Sequence, residues 1–523
     1  MSSLTQRGPR PGNEVEMGEG PNSLPSEDYV PRTMPRILRP IDMIALYIMA
    51  VFWVSNVTGI VMAGPAAFTF LLICAVGFFI PCAIVTAQLG VMLPHEGSIY
   101  NWTYHAFWGR NERFWSFFIG LCAWLPGVLS LVSAADVVVN CLQTLNPNWL
   151  GPAWQQGVVI IFITLFCGVL SLQRARTVQN IINVTAGVVG LVVLLIGVAG
   201  AVWLLTGHHS ATDFTDPQGW AIHLTLDPNT TNLPILGTVT LALLGATMPL
   251  NMGGEIALNK ERASITSHLL WGTLLVLAGY FVLTFAVLAV GGQTAAFSAA
   301  NPIVLLVTVV QTALGPLTSK VVMIGIMLFY IVVGVFESSI SARLLMVAAI
   351  DRQIPIAAAR LNKNRIPMNA VIFQTCLAVF YTAIIFFAFP TIAIFGANPD
   401  VLTTQAYTVT AASLLLIWAF SFMFPFIDAA ILYRRNRVAF NRHLILPLPL
   451  LMISMIVGPI VCLGAIGATL LSSWIPQLIP NNQWWILIAC VTFCLLVFAI
   501  LLSLFGSGQA TWETFEEMDR RAS

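Results

Sequence analysis

Charge is what this 523-residue chain has least of: Asp, Glu, Lys and Arg together make up 9% of it, against about a quarter in an ordinary soluble protein. With 58% hydrophobic residues, water cannot be its main solvent. The alternating ten-residue segments of a membrane β-barrel are missing, and so is the short apolar core of a cleaved signal peptide at the N-terminus. No loop is long enough for a separate soluble domain; the largest, about 207 to 233, is under thirty residues. No G-x-x-x-x-G-K-[ST] loop is present, which argues against a nucleotide-driven pump in this chain. The seven histidines make no set of metal-ligand spacing, and no nucleophile stands beside a base. A membrane-embedded enzyme, a metal or a cofactor therefore has no support in the residues. The nine cysteines (74, 82, 122, 141, 167, 376, 462, 490 and 494) fall almost wholly within apolar runs and read as small buried hydrophobes.

What is present is a succession of apolar runs separated by short polar breaks, each about the 20 residues that a hydrocarbon core demands. They read as about twelve transmembrane helices, at 41 to 65, 67 to 91, 113 to 141, 155 to 171, 177 to 206, 234 to 258, 267 to 291, 318 to 349, 367 to 388, 404 to 433, 445 to 471 and 483 to 505. The expected fold class is an all-α polytopic membrane protein. Residues 1–40, polar and rich in Pro, Gly and Glu, read as a disordered cytoplasmic tail, and 506–523 as a cytoplasmic C-terminal tail. Placing the N-terminus inside puts 22 of the 23 Lys and Arg residues in the tails and inner loops, with only Lys320 near an outer end. This asymmetry fixes the expected orientation in the cell membrane, both termini cytoplasmic, and favours an even helix count. In the proposed outer loop, Asn229-Thr230-Thr231 forms a glycosylation sequon.

Transporters often hold their cargo at the membrane midplane, where unwound helices expose backbone donors and acceptors. Two apolar runs carry Gly or Pro with polar residues at mid-depth: Ser55-Asn56-Val57-Thr58-Gly59 in the first helix, and Gly245-Ala246-Thr247-Met248-Pro249-Leu250-Asn251-Met252-Gly253-Gly254-Glu255 in the sixth. Freed amides hold a carboxylate and freed carbonyls an ammonium or Na⁺, so a zwitterion suits both. These breaks open two halves, 41–206 and 234–433, expected to be inverted repeats of five helices, with 445–505 adding two more. The bland reading is that Gly, Ser and Thr only permit close helix packing; the matched order of the two breaks favours the functional one.

Ser55 to Ile60, the passage Gln88-Leu89-Gly90-Val91-Met92-Leu93-Pro94-His95-Glu96-Gly97-Ser98-Ile99-Tyr100, the basic approach Arg174 to Val178, the Arg343, Ala348, Asp351 and Pro355 pattern, and Asn362-Lys363-Asn364-Arg365-Ile366-Pro367 together resemble the amino acid-polyamine-organocation superfamily of permeases. Within it the helix 2 region looks most like bacterial glutamate/GABA exchangers. The resemblance implies a ten-helix core with two added helices, alternating access, and an amino acid or amine as the small-molecule partner, with Na⁺ or H⁺ as coupling ion and no nucleic acid. Carried over residue by residue, it implies substrate contacts at Ser55, Asn56, Thr58, Gly59, Gly245, Thr247, Asn251 and Gly253. Three positions depart from the family pattern. Pro249 stands where many relatives place a gating aromatic, helix 5 has Ala186 where many proton-coupled relatives carry lysine, and Gly254 replaces a bulky residue.

Ionisable residues within a span are costly and hence functional candidates. Glu337, with Ser338 and Ser339, is expected to titrate or to bind a cation; the bland alternative is a fixed internal hydrogen bond. Glu255 suits a half-helix N-terminus, mainly as a stabiliser. Asp136 reads as hydrated near the outer end of helix 3, and Asp42 and Asp428 as interface charges beside Arg39 and Arg434. Trp53 precedes the first break and is a gating candidate, though aromatics on membrane helices more often pack. The competing functional readings are a transporter-like sensor, which would bind without flux, and a channel, whose fluxes would outrun alternating access.

Overall fold

The computed structural model describes residues 23–146, 148–223, 232–298, 301–391 and 399–522. Among them no β-strand forms, as a hydrocarbon environment requires of a chain that must satisfy every backbone group within its own segment. In chain order the helices are α1 (Pro25–Thr33), α2 (Pro40–Val51), α3 (Val57–Val61), α4 (Ala66–Met92), α5 (Ser98–Ala106), α6 (Glu112–Leu145), α7 (Ala153–Ser171), α8 (Ala175–Leu205) and α9 (Leu233–Ala242). They continue as α10 (Glu261–Val290), α11 (Gly292–Ser298), α12 (Pro302–Leu314), α13 (Pro316–Ile350), α14 (Met368–Thr391), α15 (Pro399–Arg435), α16 (Arg437–Arg442), α17 (Leu448–Leu471) and α18 (Asn481–Ala522). Among the described residues ten helices are long and apolar enough to cross a membrane, and α2 with Val54–Val61, bent by 40°, makes an eleventh. The expected crossing at 234 to 258 is present as α9 and a 3₁₀ stretch, Met248–Glu255, separated by non-helical residues. The chain is thus an all-α polytopic membrane protein.

The helices form where the sequence provides both hydropathy and a start. Pro40 sits in the first turn of α2, and Asp42 accepts from the Arg39 amide at 2.9 Å, satisfying a donor the helix cannot. The most extensive helix contact joins α6 and α13 at the centre. Small residues let them approach: Gly127 lies against Ser341, and Gly334 against Leu131 and Cys167. At the periphery, α8, α17 and α18 expose Leu191, Leu194, Ile456, Ile460, Phe493 and Phe498, an apolar surface suited to lipid tails. Six of the cysteines are buried, whereas Cys376, Cys490 and Cys494 are exposed, and none is bonded to another.

At one end, cross-links tie the loops together: Arg176 donates to Asp42 at 3.2 Å, Asn362 to the Leu172 carbonyl at 3.0 Å and Arg262 to the Leu444 carbonyl at 3.2 Å. This end carries nearly all the basic side chains among the described residues. Bonds at the other end run from Gln293 to the Met62 carbonyl at 2.6 Å and from Gln405 to the Leu478 carbonyl at 2.9 Å.

Two expectations change, and two segments without an assigned conformation prove helical. The N-terminal 40 residues are not disordered throughout: residues 1–22 lie outside the described residues, but α1 docks on the basic end. Val30 and Met34 pack with Met346, Ala349 and Ile350, and Ser26 donates twice to Asp351, both at 2.9 Å. A segment with so few apolar residues looks like solvated chain until its polar groups find buried partners. Asp42 is fully buried and pairs with Arg176, and Asp428 is fully buried and accepts from Thr103 at 2.8 Å; neither is a surface charge. The C-terminal tail continues α18 as helix to Ala522. Between 291 and 318, where no span was assigned, α12 forms a shorter apolar helix. The sequon lies outside the described residues.

Candidate functional site

α2 stops at Val51 because Phe52 (φ −89°, ψ 84°) and Trp53 (φ −96°, ψ 101°) leave helical conformation, and the chain resumes helix at Val54. The second break follows Ala242. Gly245 there has φ +117°, and a Cβ on it would stand 2.8 Å from the Ala50 carbonyl oxygen. Only glycine fits where the two breaks touch. Between them stands the Tyr280 hydroxyl of α10, accepting from the Trp53 amide at 3.1 Å and lying 3.2 Å from the Val51, 3.3 Å from the Trp53 and 3.3 Å from the Ala242 carbonyl. One hydroxyl carries one proton, so three carbonyls compete for it. The Tyr330 hydroxyl of α13 similarly holds Ser55, 3.0 Å from its amide and 2.8 Å from Oγ. Neither tyrosine was singled out from the sequence. A tyrosine in an apolar run looks like packing, and the only signal was that a buried hydroxyl needs a partner.

Beside the first break lies a cavity of about 600 Å³, within the range of small-molecule sites. Trp53, Ser55, Asn56 and Gly59 line it from the break, and Ser130, Ser133, Asp136 and Asn140 from one face of α6. It extends to Pro302 at the start of α12 and to Trp474 in the α17–α18 connection, so it runs toward the end opposite the basic loops. On the basic side of the break the void among Gln179, Glu255, Ser339 and Arg343 is about 20 Å³, room for about one water.

Of the residues expected to bind cargo, Ser55, Asn56 and Gly59 face this cavity, whereas Thr58 is turned away and donates to the Pro302 carbonyl at 3.2 Å. α9 contributes Thr238, Leu241 and Ala242 to the lining and the second break contributes Leu244, not Gly245, Thr247, Asn251 or Gly253. Thr247 is buried; Asn251 accepts from Ser98 Oγ at 2.6 Å, and its carbonyl accepts the Gly97 amide at 3.2 Å. A Cβ on Gly253 would meet the His95 carbonyl oxygen at 2.7 Å. The polar half of the second break is therefore spent on packing against residues 95–98.

The gating and coupling candidates divide likewise. Trp53 lines the cavity with its ring edge-on to Tyr330, centroids 5.5 Å apart. Pro249 is buried in the 3₁₀ stretch. Glu255 takes Arg343 Nε at 2.6 Å, and Glu96 lies 3.7 Å from the same nitrogen while accepting the Gly254 amide at 3.0 Å. Two carboxylates thus share one buried guanidinium. Burial and the adjacent Glu255 push the Glu96 carboxyl well above the usual range, Arg343 opposing. The Ser339 carbonyl accepts from Arg343 at 2.7 Å, and Ser338 meets Ser171 Oγ at 3.2 Å and the Gln374 amide. Glu337 is 1% exposed, and neither of its oxygens has a hydrogen-bond partner. It sits behind the cavity wall: a Cβ on Gly127, next to the cavity-lining Pro126, would be 3.9 Å from its Oε2.

The sequence model of the family described as amino acid permease matches residues 41–515. An uncharacterized transporter of Legionella pneumophila is 30% identical over 179 residues, which cover 33% of this chain. The chain spans 36% of that relative's length.

Proposed function

The chain belongs to the amino acid permease family, and on that premise we propose that it is a secondary transporter moving an amino acid or a related amine by alternating access. The observation that carries this reading is the one-sided cavity at the first helix break: about 600 Å³ toward Trp474, against about 20 Å³ toward Arg343. Such an arrangement corresponds to a state open on one face and sealed on the other by the Glu96–Arg343–Glu255 cluster and α1. The predominance of basic residues at the sealed end favours that end as cytoplasmic, in the cell membrane, with both termini inside. Cargo with a carboxylate and an ammonium would meet the amides and carbonyls around Ser55, Asn56 and Trp53. Transport follows from differential binding to the two states, the gradient giving direction. Exchange and ion-coupled symport are both compatible with this scheme; Glu337, buried without a partner, is the coupling residue we favour. The helix order, five and five plus two, fits an inverted repeat built around the two breaks.

Accessibility tests the reading. Asn56→Cys, in a background with Cys376, Cys490 and Cys494 replaced, should react with an impermeant thiol reagent from the outer face and be protected by cargo. Labelling insensitive to every amino acid and amine tried would sink the assignment of this cavity.

A further inference from the structure

We propose that Asp136 selects the cargo, and that the cavity takes a solute bearing a cationic group in addition to a plain zwitterion's ammonium: a basic amino acid, or a diamine. This rests on the transporter reading above and names its substrate class. Asp136 lies inside a membrane-length helix, yet it is partly exposed, because it faces the cavity. It is the one charged side chain among the described lining residues. Its hydrogen bond is a long one, Asn140 Nδ2 at 3.4 Å, and no Lys, Arg or His among the described residues forms an ion pair with it. The protein has put a carboxylate into an otherwise apolar and hydroxyl-lined chamber without supplying its counter-charge, an arrangement that is costly until a cation arrives.

The depth is right for a ligand anchored at the helix break. α6 and α13 run antiparallel with Gly127 against Ser341 and Leu131 against Gly334. Continuing that register brings Tyr330, whose hydroxyl holds Ser55, level with the turn of α6 that carries Ser133 and Asp136. The carboxylate therefore lines the cavity at the depth of the break. Around it, Ser133 Oγ is bonded to the Tyr407 hydroxyl at 2.8 Å, and the rings of Trp53, Trp418 and Trp474 complete a lining that suits an organic cation. An acidic amino acid would bring a second negative charge to the same chamber, so cargo of the glutamate type is disfavoured.

The test separates binding from flux. Purified full-length protein would be titrated with lysine, ornithine, putrescine, alanine and glutamate, and the same compounds offered as labelled cargo to proteoliposomes. The expected result is preference for the first three, with Asp136→Asn weakening lysine binding about 10- to 100-fold and shrinking the lysine-to-alanine ratio by a similar factor, and Asp136→Glu restoring part of it. Glutamate binding better than lysine, or an equal loss for alanine and lysine in Asp136→Asn, would overturn the proposal; an equal loss accompanied by lost Na⁺ or pH dependence would reassign Asp136 to the coupling ion. Selective lysine binding without flux would leave this inference standing and defeat the transporter reading; flux of neutral solutes that is indifferent to Asp136 would do the reverse.

Discussion

Replacing Gly245 by alanine sets a methyl group where the two broken helices touch. Its φ of +117° lies in a region that L-residues rarely adopt, a strain of about 1–3 kcal/mol. The new Cβ would also stand 2.8 Å from the Ala50 oxygen and 3.2 Å from its carbonyl carbon. Both are backbone atoms and cannot rotate away, so overpacking adds about 1–3 kcal/mol. Even the lower total, about 2 kcal/mol, shifts the packed arrangement roughly 30-fold. Gly187 is the control: it lies within α8 with nothing within 4 Å of its would-be Cβ, and alanine there costs nothing and favours the helix. The assay is the apparent unfolding midpoint in detergent, read beside ligand binding. Gly245→Ala should lower both, and Gly187→Ala neither. Indistinguishable variants would refute the crossing of the two breaks.

Three further outcomes follow from the same geometry. Arg343→Ala strands the Glu255 carboxylate, with Glu96 beside it, in a buried site without its guanidinium and should cost about 3–5 kcal/mol, seen as lost folded yield; Arg343→Lys should recover part of it. Glu337→Gln should fold normally, since neither carboxylate oxygen is hydrogen-bonded, yet uptake should lose its response to an imposed proton gradient; an unchanged response would remove Glu337 from coupling. Burial raises the Asp351 carboxyl to about 7, with Glu27 adding to the rise and the bonds from Ser26 and Tyr100 opposing it. Because that value lies above the ordinary one of about 4, the contribution of this carboxyl to the folded arrangement beneath α1 is full below pH ~4 and weakens as pH rises through about 7. Hydrogen exchange over 25–33, corrected for intrinsic rate, should therefore quicken between pH 5 and 8; flat or opposite behaviour would contradict the assignment.

Much of the fold was legible because hydropathy writes membrane spans directly into sequence, and the break at Ser55–Gly59 was legible because glycine and hydroxyl residues rarely cluster at mid-span without cause. The second break was visible for the same reason, but not which way its polar residues turn. Asn251 and Gly253 face residues 95–98, a partner that spacing along the chain cannot reveal. Tyr280 and Tyr330 were hidden for a related reason: their role depends on which backbone groups three other helices leave free. Asp136 was visible as a charge within a span, but its exposure belongs to the cavity, which exists only once α6, α9 and α15 are assembled. The docking of α1 rests on Asp351, which takes Ser26, and on His105, whose Nε2 lies 2.6 Å from Glu27 Oε1, both far away in sequence.

The most direct test of transport through this cavity is uptake of labelled amino acids and amines into proteoliposomes, with and without unlabelled cargo inside, under imposed pH or Na⁺ gradients. Saturable uptake that is stimulated by internal cargo or by a gradient, and lost when Ser55 and Asn56 are replaced in protein that still folds, is the predicted result. Binding of the same solutes with no flux under any gradient would contradict it and make the chain a sensor.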